Sequence, residues 1–224
     1  MNRVYAPFLA FVLPLTFTAC ASESHRTVGT HEVESAQKPY SGPRYPLAIG
    51  KFKNTSTYLT GVFASDTDQL GSQAKTILKT HLSQTNRFNL ADRDNMEELA
   101  REAKMSGNEQ KLVGARFVVT GEVTEFGRKE TGDKEVFGIV GRGKKQTAYA
   151  KVSVNVVDTK SSLVVYSSQG AGEYSLSNRE IFGTGSTASY DSTLNGKVLD
   201  LAMVDAVNKL VRGLEAGAWS VGDS

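Results

Sequence analysis

The 224 residues contain one cysteine, Cys20, together with five prolines and three histidines. A single cysteine excludes an intrachain disulfide and a cysteine-based metal site, so stability must come from packing or from neighbours. All the prolines (Pro7, Pro14, Pro39, Pro43, Pro46) lie in the first 46 residues. Every later residue therefore keeps its backbone donor, as a long uninterrupted sheet requires. Charge of one sign is lacking as well: Lys+Arg of 26 against Asp+Glu of 24 leaves a net charge of +2, no basis for a nucleic-acid partner. The apolar segment from Tyr5 to Phe17 is broken by Pro7 and Pro14 and falls short of the ~20 residues a spanning helix needs.

That segment is preceded by Arg3 and followed by Ala19 and Cys20, the layout of a cleaved signal with a small residue before the cut and a thiol after it. The pattern resembles a bacterial lipoprotein signal: 1–19 is removed after Ala19, and Cys20 becomes an acylated amino terminus. An ordinary secretory signal is the alternative, but it leaves an unpaired thiol in an oxidising compartment. Acyl chains contribute ~0.8 kcal/mol per buried methylene, so a multiply acylated Cys20 stays on the bilayer. Ala21, rather than Asp, follows the cysteine, and by resemblance to lipoprotein sorting signals this points to the outer membrane. Residues 20–44, rich in Ser, Glu, His and Pro without periodicity, are expected to be a lipidated flexible tether. The folded domain is then 45–221.

Within it, Pro46–Phe52 alternates as a first strand and Asn54–Ser65 is a polar loop. A helix starts near Thr67 or Asp68, with Leu70, Ala74, Ile77, Leu78 and His81/Leu82 on one face. Arg87–Ala91 is a short strand. Asp94 is placed to cap a second helix, with Glu97 three residues on and Met96, Leu99, Ala100 and Ala103 at helical spacing. From Arg116 to Phe126 the chain is strand, and Thr147–Asp158 alternates with Ala148, Ala150, Val152, Val154 and Val156 on one face. After a turn at 158–162, Leu163–Tyr174 is strand. Lys197–Leu214 is a helix with Leu199, Met203, Ala206, Val207, Leu210, Val211 and Leu214 toward a core. The class is α+β: an antiparallel or mixed sheet with flanking helices.

Catalytic motifs fail on inspection. Gly138–Lys145 approaches a phosphate loop, but Lys145 stands where Ser or Thr should hold magnesium, and a strand follows where a helix is needed. Gly183–Ala188 fits a loose dinucleotide fingerprint without a strand-to-helix crossover around it. His25 and His31 lie in the tether, leaving His81 as a lone base with no nucleophile or orienting partner visible. The expectation is not an enzyme, with no cofactor and no metal.

Three stretches carry a family resemblance. Val136–Val140 leading into Lys151–Thr159, Glu173–Asp191, and the closing helix from Asn195 to Trp219 resemble the CsgG/HfaB family of outer-membrane lipoprotein channels. The resemblance implies a homo-oligomeric ring anchored by acylated Cys20, each subunit lending two β-hairpins, about 124–155 and 163–192, to one transmembrane barrel. A spanning strand needs ~9–11 residues, which both stretches supply. Phe137, Ile139, Val140, Ile181, Phe182 and Tyr190 are the expected hairpin tips and membrane strands. Tyr58 and Phe63, in the loop before the first helix, are the expected pore constriction; packing of Phe63 on the helix that follows is the alternative. Function follows as a secretion channel that passes exported protein subunits. Against it stands the charged run Arg128–Glu135, which cannot face lipid along its whole length at ~2–4 kcal/mol per basic residue. The rival expectation is a periplasm-facing lipoprotein that scaffolds or activates an envelope assembly through accessory proteins and is not itself a pore.

Overall fold

A computed structural model describes residues 30–58, 68–133, 143–179 and 193–219. Eight elements follow in order: β1 (Tyr45–Asn54), α1 (Gln69–Gln84), β2 (Phe88–Ala91), α2 (Met96–Met105), β3 (Phe117–Asp133), β4 (Gly143–Asp158), β5 (Val164–Arg179) and α3 (Leu194–Glu215). The strands form one five-stranded sheet in the order β2-β1-β3-β4-β5. It is mixed: β1 runs parallel to both neighbours, β2 and β3, while β3, β4 and β5 form an antiparallel meander.

The alternation in β4 is realised in full. Ala148, Ala150, Val152, Val154 and Val156 are all completely buried, and the residues between them face the other side. On β3 the inward set changes parity. Val119 and Val123 point to the core, then a register shift between Val123↔Val152 and Glu125↔Lys151 leaves Thr124 as an extra residue, and Phe126 becomes the next inward residue. A similar shift between Ile49 and Phe52 lets β1 bury both Leu47 and Phe52.

Helices α1 and α3 cover the inward face, α1 over β1 and β2 and α3 over β4 and β5. Leu70, Ala74, Leu78 and Leu82 of α1 are buried, as the spacing foretold, and so are Leu199, Met203, Ala206, Val207, Leu210 and Val211 of α3, whereas Ile77 and Leu214 are only half-buried at the edge of the core. α3 lies against β5 without a gap: a β-carbon on Gly170 would stand 2.0 Å from the Ala202 carbonyl oxygen. At the carboxyl end of α3, Gly217 adopts φ 71° and the Ala218 N–H bonds to Gly213 O, turning the chain back sharply. That reversal inserts Trp219, 4% exposed, among Phe88, Phe117 and Tyr166, and its indole N–H reaches Leu210 O.

Three expectations change. The long strands outrun their expected lengths, because the antiparallel ladder continues through the charged residues that obscure alternation. Asp94 does not cap α2: Asn95 is the N-cap residue, its side chain making no capping bond to the helix, and Asp94 pairs with Lys75 of α1. α2 itself buries none of its residues, leaving Leu99 and Met105 exposed. Finally, the tether expected through residue 44 is docked on the domain from His31, with Val33 only 1% exposed.

Candidate functional site

The meander supplies the most distinctive geometry. β3 and β4 pair from Phe117↔Asp158 to Asp133↔Gly143, so the expected first hairpin is an antiparallel ladder through its described residues, interrupted only at Thr124. β4 and β5 pair from Val157↔Val164 to Gly143↔Arg179. The start of α3 stands level with Arg128, whose guanidinium donates to Asn195 Oδ1 at 3.3 Å and Gln146 Oε1 at 3.4 Å. Past that level the β3–β4 ladder runs on for five more residue pairs. Arg128, the first of the troublesome charges, thus turns toward the helix layer.

Beside the meander lie the described ends of the loop between β1 and α1, residues 55–58 and Asp68. Its base is pinned by one carboxylate, Asp68, which accepts the Asn54 N–H at 2.7 Å and, as the N-cap of α1, the Gly71 N–H at 2.8 Å. Backbone donors of Thr55 and Ser56 both reach Val123 O, and Asn54 Nδ2 holds Tyr58 O at 3.0 Å. These bonds set Tyr58 against β3, its ring 4.6 Å from that of Phe126 and tilted 48°. Tyr58 is partly buried there. Phe63 lies outside the described residues, as do Ala19, Cys20, Phe137, Ile139, Val140, Ile181, Phe182 and Tyr190.

His81 acquires partners that sequence could not show. Its Nε2 meets Asp200 Oδ1 of α3 at 2.7 Å and its Nδ1 meets Gln84 Oε1 at 3.0 Å, while the ring is buried. Asp200 holds His31 Nδ1 on its second oxygen at 3.1 Å. Both ring nitrogens of His81 are engaged and the ring is sealed from solvent, so it has no lone pair directed at a substrate. The cluster joins α1, α3 and the segment before β1.

Two other carboxylates are electrostatically settled. A hydrogen bond from Lys79, then one from Asn95, holds the Asp92 carboxyl far below the usual range, fixing the β2–α2 turn to α1. In the β4–β5 turn, the Ser161 N–H foremost, with Lys160 N–H and Arg116, lowers Asp158. Both are turn-stabilising anions. Sequence reading placed Asp68 at the start of a helix but missed its bond to Asn54, 14 residues away, and missed the Asp200–His81 and Arg87–Glu215 pairs, 119 and 128 residues apart.

The architecture defines a two-layer α+β domain with helices on one face of an extended meander. The described residues bring together no group of His, Cys, Asp or Glu fit to hold a metal ion, and no helix among them is long and apolar enough to cross a membrane. The chain belongs to the CsgG family, described as curli production assembly/transport component CsgG, whose model matches residues 28–223. It is 55% identical over 219 residues, 98% of each chain, to a protein of Neisseria meningitidis serogroup B named "Putative lipoprotein NMB1126/NMB1164". Among solved structures it is similar to the PelC dodecamer of Paraburkholderia phytofirmans, with 16% identity, 75% of this chain and 93% of that one covered, and a TM-score of 0.34. Lipoprotein GNA1162 of Neisseria meningitidis matches with 12% identity over 76% of this chain and 99% of the other, TM-score 0.33.

Proposed function

We propose that this protein is an outer-membrane lipoprotein, acylated at Cys20 after cleavage behind Ala19, that assembles into a homo-oligomeric ring serving protein export across the envelope. One observation carries the reading: membership of an assembly and transport family along nearly the whole mature length, in a chain whose meander prolongs its strands past the helix layer. Strands of 16 and 17 residues exceed the ~9–11 that a bilayer crossing takes. In the ring, the hairpins at about 124–155 and 163–192 supply the barrel, with Phe137, Ile139, Val140, Ile181, Phe182 and Tyr190 at tips and lipid-facing positions. The loop pinned by Asp68 presents Tyr58 and Phe63 near the lumen. With no complete nucleotide-binding motif in the sequence, cargo in this reading passes by diffusion, biased by partners or by folding outside.

The charged run Arg128–Glu135 favours a second reading, a periplasm-facing scaffold for accessory proteins that never enters the bilayer. Electron microscopy and light scattering on protein extracted from membranes, beside a Cys20→Ala form, separate the two. Rings with a stain-filled lumen from the acylated form are expected. A detergent-independent monomer from both forms would overturn the pore and leave the scaffold.

A further inference from the structure

The segment just before β1 has the composition of a linker, yet it buries two of its side chains against the domain. Val33 is 1% exposed and Ser35 4%. The Glu34 N–H donates to Asn208 Oδ1 of α3 at 2.9 Å, and a turn closes between Ala36 N and Val33 O at 2.9 Å. At one end His31 meets Asp200 of α3. At the other, Arg87 acts as a clamp: its Nη1 donates to Ser35 O at 3.1 Å, Lys38 O at 3.3 Å and Thr85 O at 2.7 Å. Its Nε and Nη2 both hold Glu215 of α3, and the Tyr40 ring covers the guanidinium at 4.6 Å. Arg87 is itself 2% exposed, so the segment completes the burial of a charge that belongs to the domain.

We infer that residues 31–40 form a docked strap, seated on α3 and clamped by Arg87, that sets how far the domain stands from the membrane. This rests on acylation of Cys20. With the strap seated, only eleven peptide steps separate Cys20 from the first docked residue, His31, a reach of at most roughly 40 Å. With it released, the free chain extends to Tyr45 and the limit rises to roughly 90 Å. One polar group weakens the seat. Ser35 Oγ is buried with no hydrogen-bond partner, a standing cost that opposes docking. Undocking also returns Arg87 to water rather than stranding it.

The test uses the full acylated chain on vesicles of phosphatidylethanolamine and phosphatidylglycerol, with a dye on Gly114→Cys, where nothing lies within 4 Å of an added β-carbon, and an acceptor in the headgroups. Amide exchange is followed at Glu34, Ala36 and Lys38. These amides should be protected by roughly tenfold or more, the protection should vanish in Val33→Asp, and energy transfer to the bilayer should fall with it. Ser35→Ala should act in the opposite sense, slowing exchange, which general unfolding cannot imitate. Floating protein whose 34–38 amides exchange freely, or whose transfer is unchanged by Val33→Asp, overturns the strap while acylation stands. Protein that fails to float overturns acylation and the leash with it, whereas the same exchange measurement on Cys20→Ala protein still decides whether the segment docks.

Discussion

Gly170→Ala should be among the most damaging single-methyl changes available to this fold. The new β-carbon would lie 2.0 Å from Ala202 O, 2.5 Å from Ala206 N and 2.9 Å from Ala206 Cβ, where ordinary contact begins near 3.4 Å. The obstacle is helix backbone on both sides, so no rotamer change relieves it, and α3 must move off β5 by more than an ångström. That displacement strains the bonds from Ser168 Oγ to Ala206 O and from Tyr166 Oη to Lys209 O, and it loosens Leu199, Ala202, Met203 and Ala206, all fully buried. Overpacking of this kind costs ~1–3 kcal/mol, and two weakened hydrogen bonds add ~0.5–1.5 kcal/mol each. Reduced freedom of the unfolded chain returns only ~0.4–1 kcal/mol. A net loss of ~1–5.5 kcal/mol is a large part of the ~5–15 kcal/mol expected of a domain. Urea unfolding of signal-less Cys20→Ala protein reads this as a lowered midpoint at unchanged slope. Gly127→Ala is the internal comparison: nothing lies within 4 Å of its added methyl, so it should be neutral or gain ~0.4–1 kcal/mol. If Gly170→Ala unfolds within ~0.5 kcal/mol of the parent, the helix does not sit on β5 as described and the reasoning fails.

Trp219→Ala removes the indole packed among Phe88, Phe117 and Tyr166 and should cost ~3–5 kcal/mol by the same unfolding measurement. Asp68→Ala loses the α1 cap together with the bond that closes the loop base; a loss of ~1–2 kcal/mol is expected, with faster amide exchange at Asn54 and Gly71. Asp92 is depressed in the fold, so its contribution is full above the unfolded carboxylate value near ~3.9 and is lost as pH falls through the lower folded value. Asp92→Asn should therefore destabilise at pH 7 and converge on the parent in strong acid; a gap independent of pH would contradict this. Leu99→Glu on α2 should leave stability within ~0.5 kcal/mol, since that helix buries none of its residues.

The elements that sequence made legible are those whose periodicity is strong and whose partners lie on one face. The inward alanines and valines of β4 and the apolar stripe of α3 fall where their spacing put them. Strand ends were obscured because Arg128 and its neighbours sustain a ladder through backbone bonds, which leave no hydropathy signal. The parity change at Thr124 was invisible for the same reason. Docking of residues 31–40 depends on one buried valine and on backbone groups met by Asn208 and Arg87, so composition alone reads as linker. The polar pins of the loop and of His81 join residues far apart in the chain, and only the tertiary fold brings them together.

A polypeptide grows from its amino end, and here residues near that end rest on the final helix. Glu34 waits for Asn208, and the Arg87 clamp waits for Glu215. During synthesis the strap has no seat until nearly the whole chain exists, and β1, flanked by β2 and β3, must likewise wait for strands made after it. Completion is thus registered at the beginning: a chain truncated before residue 200 leaves its first docked segment loose, and the state of that segment reports whether the last helix has been made and folded.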